Sequence, residues 1–263
     1  YGGIMHIAYS ELKLWAECSW KHKLVYKQKI KKFVGNEYTA FGRALHLLCE
    51  NTVEEKIQEE DYDDFFEAAF EKEISTLLAK DVELNQKMIN DMLEQAKRIS
   101  PKIIPEVVKH FNHYEVFSVE ENLMLPIREV KQLGYKFKGF IDLVIKTSDG
   151  KYHIIDWKTC SWGWDAKKRS DKYVTYQLTL YKKFFCQKHK IDPKMVETHF
   201  ALLKRTAKKD HVEIFRVTSG PRKIQNATDL LIKGIKTINN GVSFKNRNSC
   251  KFCEFKNTEH CPR

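Results

Sequence analysis

With 263 residues, the chain is long enough for one well-buried core, or for a core carrying a helical insertion, and it is not a small scaffold. A net charge of +11 points towards a polyanionic partner, nucleic acid first, although lysine-rich surfaces also serve solubility alone. No run approaches the ~18 apolar residues of a membrane span and the N-terminus lacks a signal-peptide pattern, so the chain reads as intracellular, cytoplasmic and free of membrane.

Met5 reads as the native start, with residues 1–4 ahead of it. Residues 9–30 form the first predicted helix, with Ser10 as N-cap and Leu12, Leu14, Trp15 and Leu24 on its apolar side; a Gly-Asn turn follows. Phe41, Leu45, Leu48 and Val53 recur at helical spacing and predict a helix from residue 39 to about 58, with His46 on or beside its buried face. A charge-rich helical stretch then runs to Ile99, breaks before Pro101 and resumes over 107–112, so 53–112 reads as an insertion. Strands are predicted at 116–127, 135–146 and 152–158, a helix at 173–188, strands at 196–204 and 211–217, and a last helix at 221–240. Strands embedded among helices imply a mixed α/β core. There is no repeat and no Walker phosphate loop.

The most informative residues are Asp142 and Asp156, each set in an apolar run on either side of the turn-forming residues 147–151. A hairpin centred near Asp149 places the two acids opposite one another, with Cβ atoms roughly 5 Å apart, and sends Lys158 out on the side of Asp156. Two carboxylates among Phe140, Val144 and Ile154 need compensation. A divalent cation such as Mg²⁺ supplies it, with Lys158 beside a nucleophile or a phosphate. The plainer alternative is a surface hairpin with a weak Asp-Lys ion pair. Three further patterns accompany the hairpin. His46 follows Phe41 and Gly42, where the glycine allows close packing at a helix start; Gln177 and Tyr181 share a helix face; Glu120 is a weaker candidate.

In the order His46, Gly139-x-x-Asp142, Asp156-x-Lys158, Gln177-x-x-x-Tyr181, the chain resembles the PD-(D/E)XK nuclease superfamily, nearest its RecB-like branch of CRISPR-associated adaptation exonucleases and phage exonucleases. The resemblance runs from Cys18 to Cys261. It implies a restriction-endonuclease-like α/β fold, a mixed central sheet flanked by helices, and a single nuclease domain: an N-terminal cluster-bearing part at 5–38, the insertion at 53–112, the catalytic core at 116–217 and a cysteine-rich segment at 241–263. It also implies that His46, Asp142, Asp156 and the Trp157 backbone carbonyl bind Mg²⁺ or Mn²⁺. Lys158 supports the attacking water, and Gln177 and Tyr181 contact DNA. Many members have Glu where this chain has Asp156. The expected reaction is in-line hydrolysis with loss of the 3′ oxygen, leaving a 5′ phosphate.

Seven cysteines, an odd number, make a poor disulfide framework. Cys250-x-x-Cys253 points two thiolates at one ion, Cys261 returns after seven intervening residues, and a fourth ligand is required. From spacing alone, Zn²⁺ is slightly favoured, with His260 able to replace one cysteine. The resemblance favours instead a 4Fe-4S cluster held by Cys18, Cys250, Cys253 and Cys261, a structural staple joining the first helix to the tail. Cys49, Cys160 and Cys186 read as packing residues.

Trp157, Trp162 and Trp164 bracket Lys158, and the last two lead into Lys167, Lys168 and Arg169; residues 27–32 form another basic run. Aromatic rings beside cations suit single-stranded DNA, with Trp164 as the stacking ring, while core packing and loop anchoring are the bland alternatives. The sequence thus predicts a metal-dependent DNA nuclease, an exonuclease preferring single-stranded ends, with recombination, replication or CRISPR adaptation proteins as partners. The alternative is a non-catalytic DNA-binding subunit of a helicase-nuclease or CRISPR adaptation complex.

Overall fold

The computed structural model describes residues 5–30 and 33–262. Residues 1–4, with the expected start at Met5 just after them, and Lys31 and Lys32 of the basic run lie outside the described residues. Chain contacts divide the molecule into two compact units, one from the described parts of Tyr1–Phe33, Asn122–Gly139 and Gly220–Arg263, the other from Val34–Glu121 and Phe140–Ser219.

In the first unit, β1 (His6–Ala8) runs parallel to the start of β3 (Lys136–Thr147), pairing His6 with Lys136 and Ala8 with Lys138. The expected first helix is broken. It consists of α1 (Tyr9–Glu17) and α2 (Ser19–His22), followed by a wide helical turn over Lys23–Lys27, because Cys18 is extended with φ −159° and ψ 108°. The cap position of α1 is Ala8 rather than Ser10. Helix α9 (Pro221–Asn239) lies close against α1. A Cβ on Gly234 of α9 meets Leu12 Cδ1 at 2.7 Å and Trp15 at 3.2 Å, so only glycine permits this approach.

In the second unit, α3 (Glu37–Val53) starts in a capping box: Asn36 accepts from the Thr39 amide and Thr39 from the Asn36 amide, satisfying two donors at the helix start. It begins and ends earlier than its apolar periodicity predicts. Helices α4 (Tyr62–Leu78), α5 (Gln86–Ile99) and α6 (Ile103–Phe111) complete the helical stretch. Pro101 is absorbed in a short 3₁₀ turn, Ser100–Lys102, where its missing N–H costs nothing. The meander β2 (Tyr114–Pro126), β3 and β4 (Tyr152–Cys160) continues through β5 (Val196–Lys204), parallel to β4, and β6 (Val212–Val217), antiparallel to β5. Helices α7 (Ala166–Ser170) and α8 (Lys172–His189) lie between β4 and β5 in sequence.

Alternation along β4 decides the two faces. Ile155 and Trp157 join Phe41, Leu45, Phe66, Phe70, Met92, Ile99 and Val107 in one apolar core with α3 to α6. The result is a mixed α/β fold with a central mixed sheet flanked by helices.

On β2, the buried Glu121 meets Lys188 Nζ at 2.5 Å and His189 Nε2 at 2.8 Å. Burial pushes its carboxyl up, but the bonds from Lys188, His189 and Ser118 outweigh it and hold the group below the usual carboxylate range. The stabilisation is therefore complete above about pH 4.5 and is lost as acid takes the pH down through the depressed value. Glu121→Gln is expected to cost about 1–3 kcal/mol at pH 7. Melting curves of the two proteins should draw together towards pH 3.

Candidate active site

The β3–β4 register pairs Leu143 with Ile155 and Lys146 with Tyr152; continued by one residue, it sets Asp142 opposite Asp156. The turn is closed by Gly150 N–H donating to Thr147 O at 2.9 Å, with Gly150 at φ +80°, a conformation glycine adopts freely. Asp156 is 1% exposed, and its Oδ2 lies 2.6 Å from Lys158 Nζ with no other donor reaching it among the described residues. Asp142 Oδ2 accepts from the Trp157 amide at 2.7 Å and stands 3.8 Å from His46 Nδ1. Helix α3 brings His46 there, passing β4 closely enough that a Cβ on Gly42 would touch Thr159 Oγ1 at 3.4 Å, an ordinary contact.

Burial, then the like charge of Asp156, pushes the Asp142 carboxyl well above its ordinary range. Burial lowers the His46 imidazole, leaving a neutral lone pair at physiological pH, and His46 also hydrogen-bonds to the Trp157 backbone. Burial works against the Lys158 ammonium, but Asp156 and Asp142 outweigh it and keep the lysine charged. His46, Asp142 and Asp156 do not converge within 4.8 Å as a closed ligand set. They form an acidic group in which Asp156 Oδ2 has Lys158 as its one cationic neighbour among the described residues. Two carboxylates, a neutral imidazole and a backbone carbonyl suit Mg²⁺ or Mn²⁺.

Helix α8 brings Gln177 and Tyr181 together, with Gln177 Nε2 donating to Tyr181 Oη at 3.1 Å. Burial, with Asp156 adding to it, raises the Tyr181 phenol, so it stays a neutral hydrogen-bonding group. Glu120 sits at φ +48° within β2, and its carboxyl is raised by burial and by Glu50 and Asp156. Glu50 was not read from the sequence. Its one signal is its place four residues after His46, on the same helix face.

The loop after β4 differs from expectation in which ring is free. Trp164 packs edge-on against Phe200 and Phe215 at 5.0 and 6.2 Å, with Lys168 Nζ 4.6 Å over its ring, whereas Trp162 is 76% exposed. Arg169 is held by Glu213 at 2.6 Å and by the Trp164 carbonyl. Lys167 and Lys168 remain exposed cations.

The first unit brings Cys18 beside the tail. Its Sγ accepts from the Asn246 amide at 3.4 Å, Asn246 Nδ2 donates to Glu17 O at 2.8 Å, and Trp20 Nε1 donates to His260 O at 3.0 Å. Cys250 and Cys261 line a cavity of about 440 Å³ with Lys245, Arg247, Lys251 and Lys256. The four sulfurs do not close to within 4.8 Å of one another. Tetrahedral Zn²⁺ with Zn–S of 2.3 Å requires sulfurs roughly 3.8 Å apart, while a larger iron-sulfide cube spreads its ligands. A cube with four thiolates is also anionic, and the cavity is basic. The donor set suits a thiolate-bound metal centre.

A mixed sheet with two acids and a lysine on adjacent strands, a histidine helix behind one acid and a Gln-Tyr helix beside the other is the arrangement of a nuclease. The sequence matches the model of the PD-(D/E)XK nuclease superfamily over residues 6–261, and the chain belongs to that superfamily. No protein of curated function matches it. Among solved structures, it is similar to a presumed exonuclease from Eubacterium rectale, at 16% identity and a TM-score of 0.57, covering 95% of this chain and 86% of that one. A second, SSO0001, aligns at 15% identity over 90% of this chain and 91% of that one, with a TM-score of 0.36.

Proposed function

We propose that the protein is a Mg²⁺- or Mn²⁺-dependent deoxyribonuclease of the RecB-like branch, an exonuclease acting on single-stranded ends, with a 4Fe-4S cluster on Cys18, Cys250, Cys253 and Cys261. The observation that carries the reading is the buried Asp156 carboxylate, paired with Lys158 and set opposite Asp142. His46, Asp142, Asp156 and the Trp157 carbonyl hold the divalent ion. Bound there, it supplies Lewis acidity to the scissile phosphate. Lys158, kept charged by both acids, orients the attacking water and offsets charge developing on the phosphate. Gln177 and Tyr181 fix the DNA backbone by neutral hydrogen bonds. A buried Asp-Lys pair opposite a second acid is costly to keep in a non-catalytic subunit, which favours the enzyme. Partners in recombination, replication or CRISPR adaptation and a cytoplasmic setting follow from the branch.

End-labelled linear and circular single-stranded DNA, incubated with Mg²⁺ or Mn²⁺ and with an EDTA control, test this. Labelled ends should be released from the linear substrate, circles should resist, and EDTA should stop the reaction. Cleavage unaffected by EDTA overturns the metal assignment, and cut circles overturn the exonuclease. The exposed Trp162, beside Lys167 and Lys168, takes the stacking role. Trp162→Ala should weaken single-strand binding by about 1–3 kcal/mol, roughly 5- to 150-fold, in a binding titration that Trp164→Ala affects only through stability.

A further inference from the structure

Three side chains meet on the sheet face turned away from Asp156. His153 lies three residues before Asp156 on β4, and β5 pairs Glu197 with His153 and His199 with Ile155, so all three share the face that meets α6. Their ligand atoms lie within 4.8 Å of one another, and both imidazoles are buried. His153 Nδ1 stands 3.1 Å from His199 Nε2 and 3.8 Å from Glu197 Oε2.

The neighbours orient these groups. Thr147 Oγ1 donates to Asp149 Oδ1 at 2.6 Å, so it accepts from His153 Nε2–H at 2.9 Å. That fixes the His153 tautomer and leaves its Nδ1 lone pair facing the cluster. Lys151 and Arg216 both contact Glu197 Oε1, each at 3.3 Å, leaving Oε2 turned towards His153. His199 Nδ1 is buried without a hydrogen-bond partner, so packing rather than a second bond holds the ring in place.

We propose that His153, Glu197 and His199 form a binding site for a divalent transition metal of the Zn²⁺ class, separate from both centres above. Bonds of about 2.0–2.2 Å to nitrogen and oxygen set ligand atoms roughly 3–3.5 Å apart at tetrahedral angles; the His153–His199 separation of 3.1 Å matches, and small side-chain shifts bring in Glu197 from 3.8 Å. Two imidazoles and one carboxylate select zinc over Mg²⁺, which takes hard oxygen donors. Three protein ligands would leave a fourth position for water, and the His110 ring stands 5.4 Å from that of His199. The cations Lys151 and Arg216 oppose the incoming charge, with Asp149 3.6 Å from Lys151 as partial compensation, so the site exchanges its metal. Loaded, it ties β4 to β5 close to Asp156.

Cobalt titration of the full chain with its cysteine centre loaded tests the assignment. Nitrogen and oxygen ligation gives visible d–d bands without the near-ultraviolet band of thiolate ligation. One such Co²⁺ equivalent, displaced by Zn²⁺, should persist in the Asp142→Asn/Asp156→Asn protein. It should weaken at least tenfold in Glu197→Gln and be lost in His199→Gln, and Zn²⁺ should raise the melting temperature of the parent but not of Glu197→Gln. Equal Co²⁺ binding by the parent and Glu197→Gln overturns the site. Should His199→Gln fail to fold, Glu197→Gln decides alone, because its amide still accepts from Lys151 and Arg216.

Discussion

Replacing Lys158 by Met is expected to abolish phosphodiester cleavage, by about 10²–10⁴-fold, the usual weight of a positioned acid-base group, and also to make the fold dependent on divalent metal. The second effect follows from burial. The Lys158 ammonium is the one cation at Asp156 Oδ2 among the described residues. Its removal leaves a buried carboxylate uncompensated, at about 3–5 kcal/mol, and Mg²⁺ or Mn²⁺ can restore the balance. The melting temperature of Lys158→Met should therefore fall in EDTA and recover with metal. Asp156→Asn should be equally inactive yet show no such recovery. Activity retained by both variants would falsify the site; a metal-insensitive Lys158→Met would remove the electrostatic account of it.

Cys18→Ser and Cys253→Ser should each lose the iron and acid-labile sulfide measured on anaerobically purified protein, together with the thiolate-to-iron absorbance. The break between α1 and α2 is stitched to the tail through Asn246, Phe244 and His260, bonds that are exposed or half-buried and weak one by one. The proposed cluster would add a covalent bridge between them, so its loss should cost several kcal/mol and lower the melting temperature by about 10 °C. Stoichiometric zinc without sulfide in the parent would replace the cluster by a zinc site.

Much of the sheet was legible because its signals are local. Alternating apolar runs and the Ser-Asp-Gly turn delimit β3 and β4, and β5 follows its β-branched and apolar run from Val196. Elements determined by distant partners were not legible. Strand β1 is three residues long and exists through its pairing with β3, while the break at Cys18 depends on residues more than 220 positions away. The aspartate pair emerged from symmetry about Asp149. The engagement of Trp164 and Arg169 with Phe200, Phe215 and Glu213 was not legible, since those partners come from β5 and β6, remote in sequence. Glu50 and the His153–Glu197–His199 group escaped notice for the same reason: spacing along one strand reveals nothing about its neighbour.

The four-residue connection between β3 and β4 acts as a ruler. Side chains on β4 alternate between the packed face, with Ile155 and Trp157, and the acid face, with Asp156 and Lys158. One residue inserted between Thr147 and Lys151 shifts this pairing by a single step, driving an indole into the acid pocket and two charges into the oil of the helical layer. Length in this loop is thus constrained to a single value by chemistry performed several residues away, at a site the loop never touches.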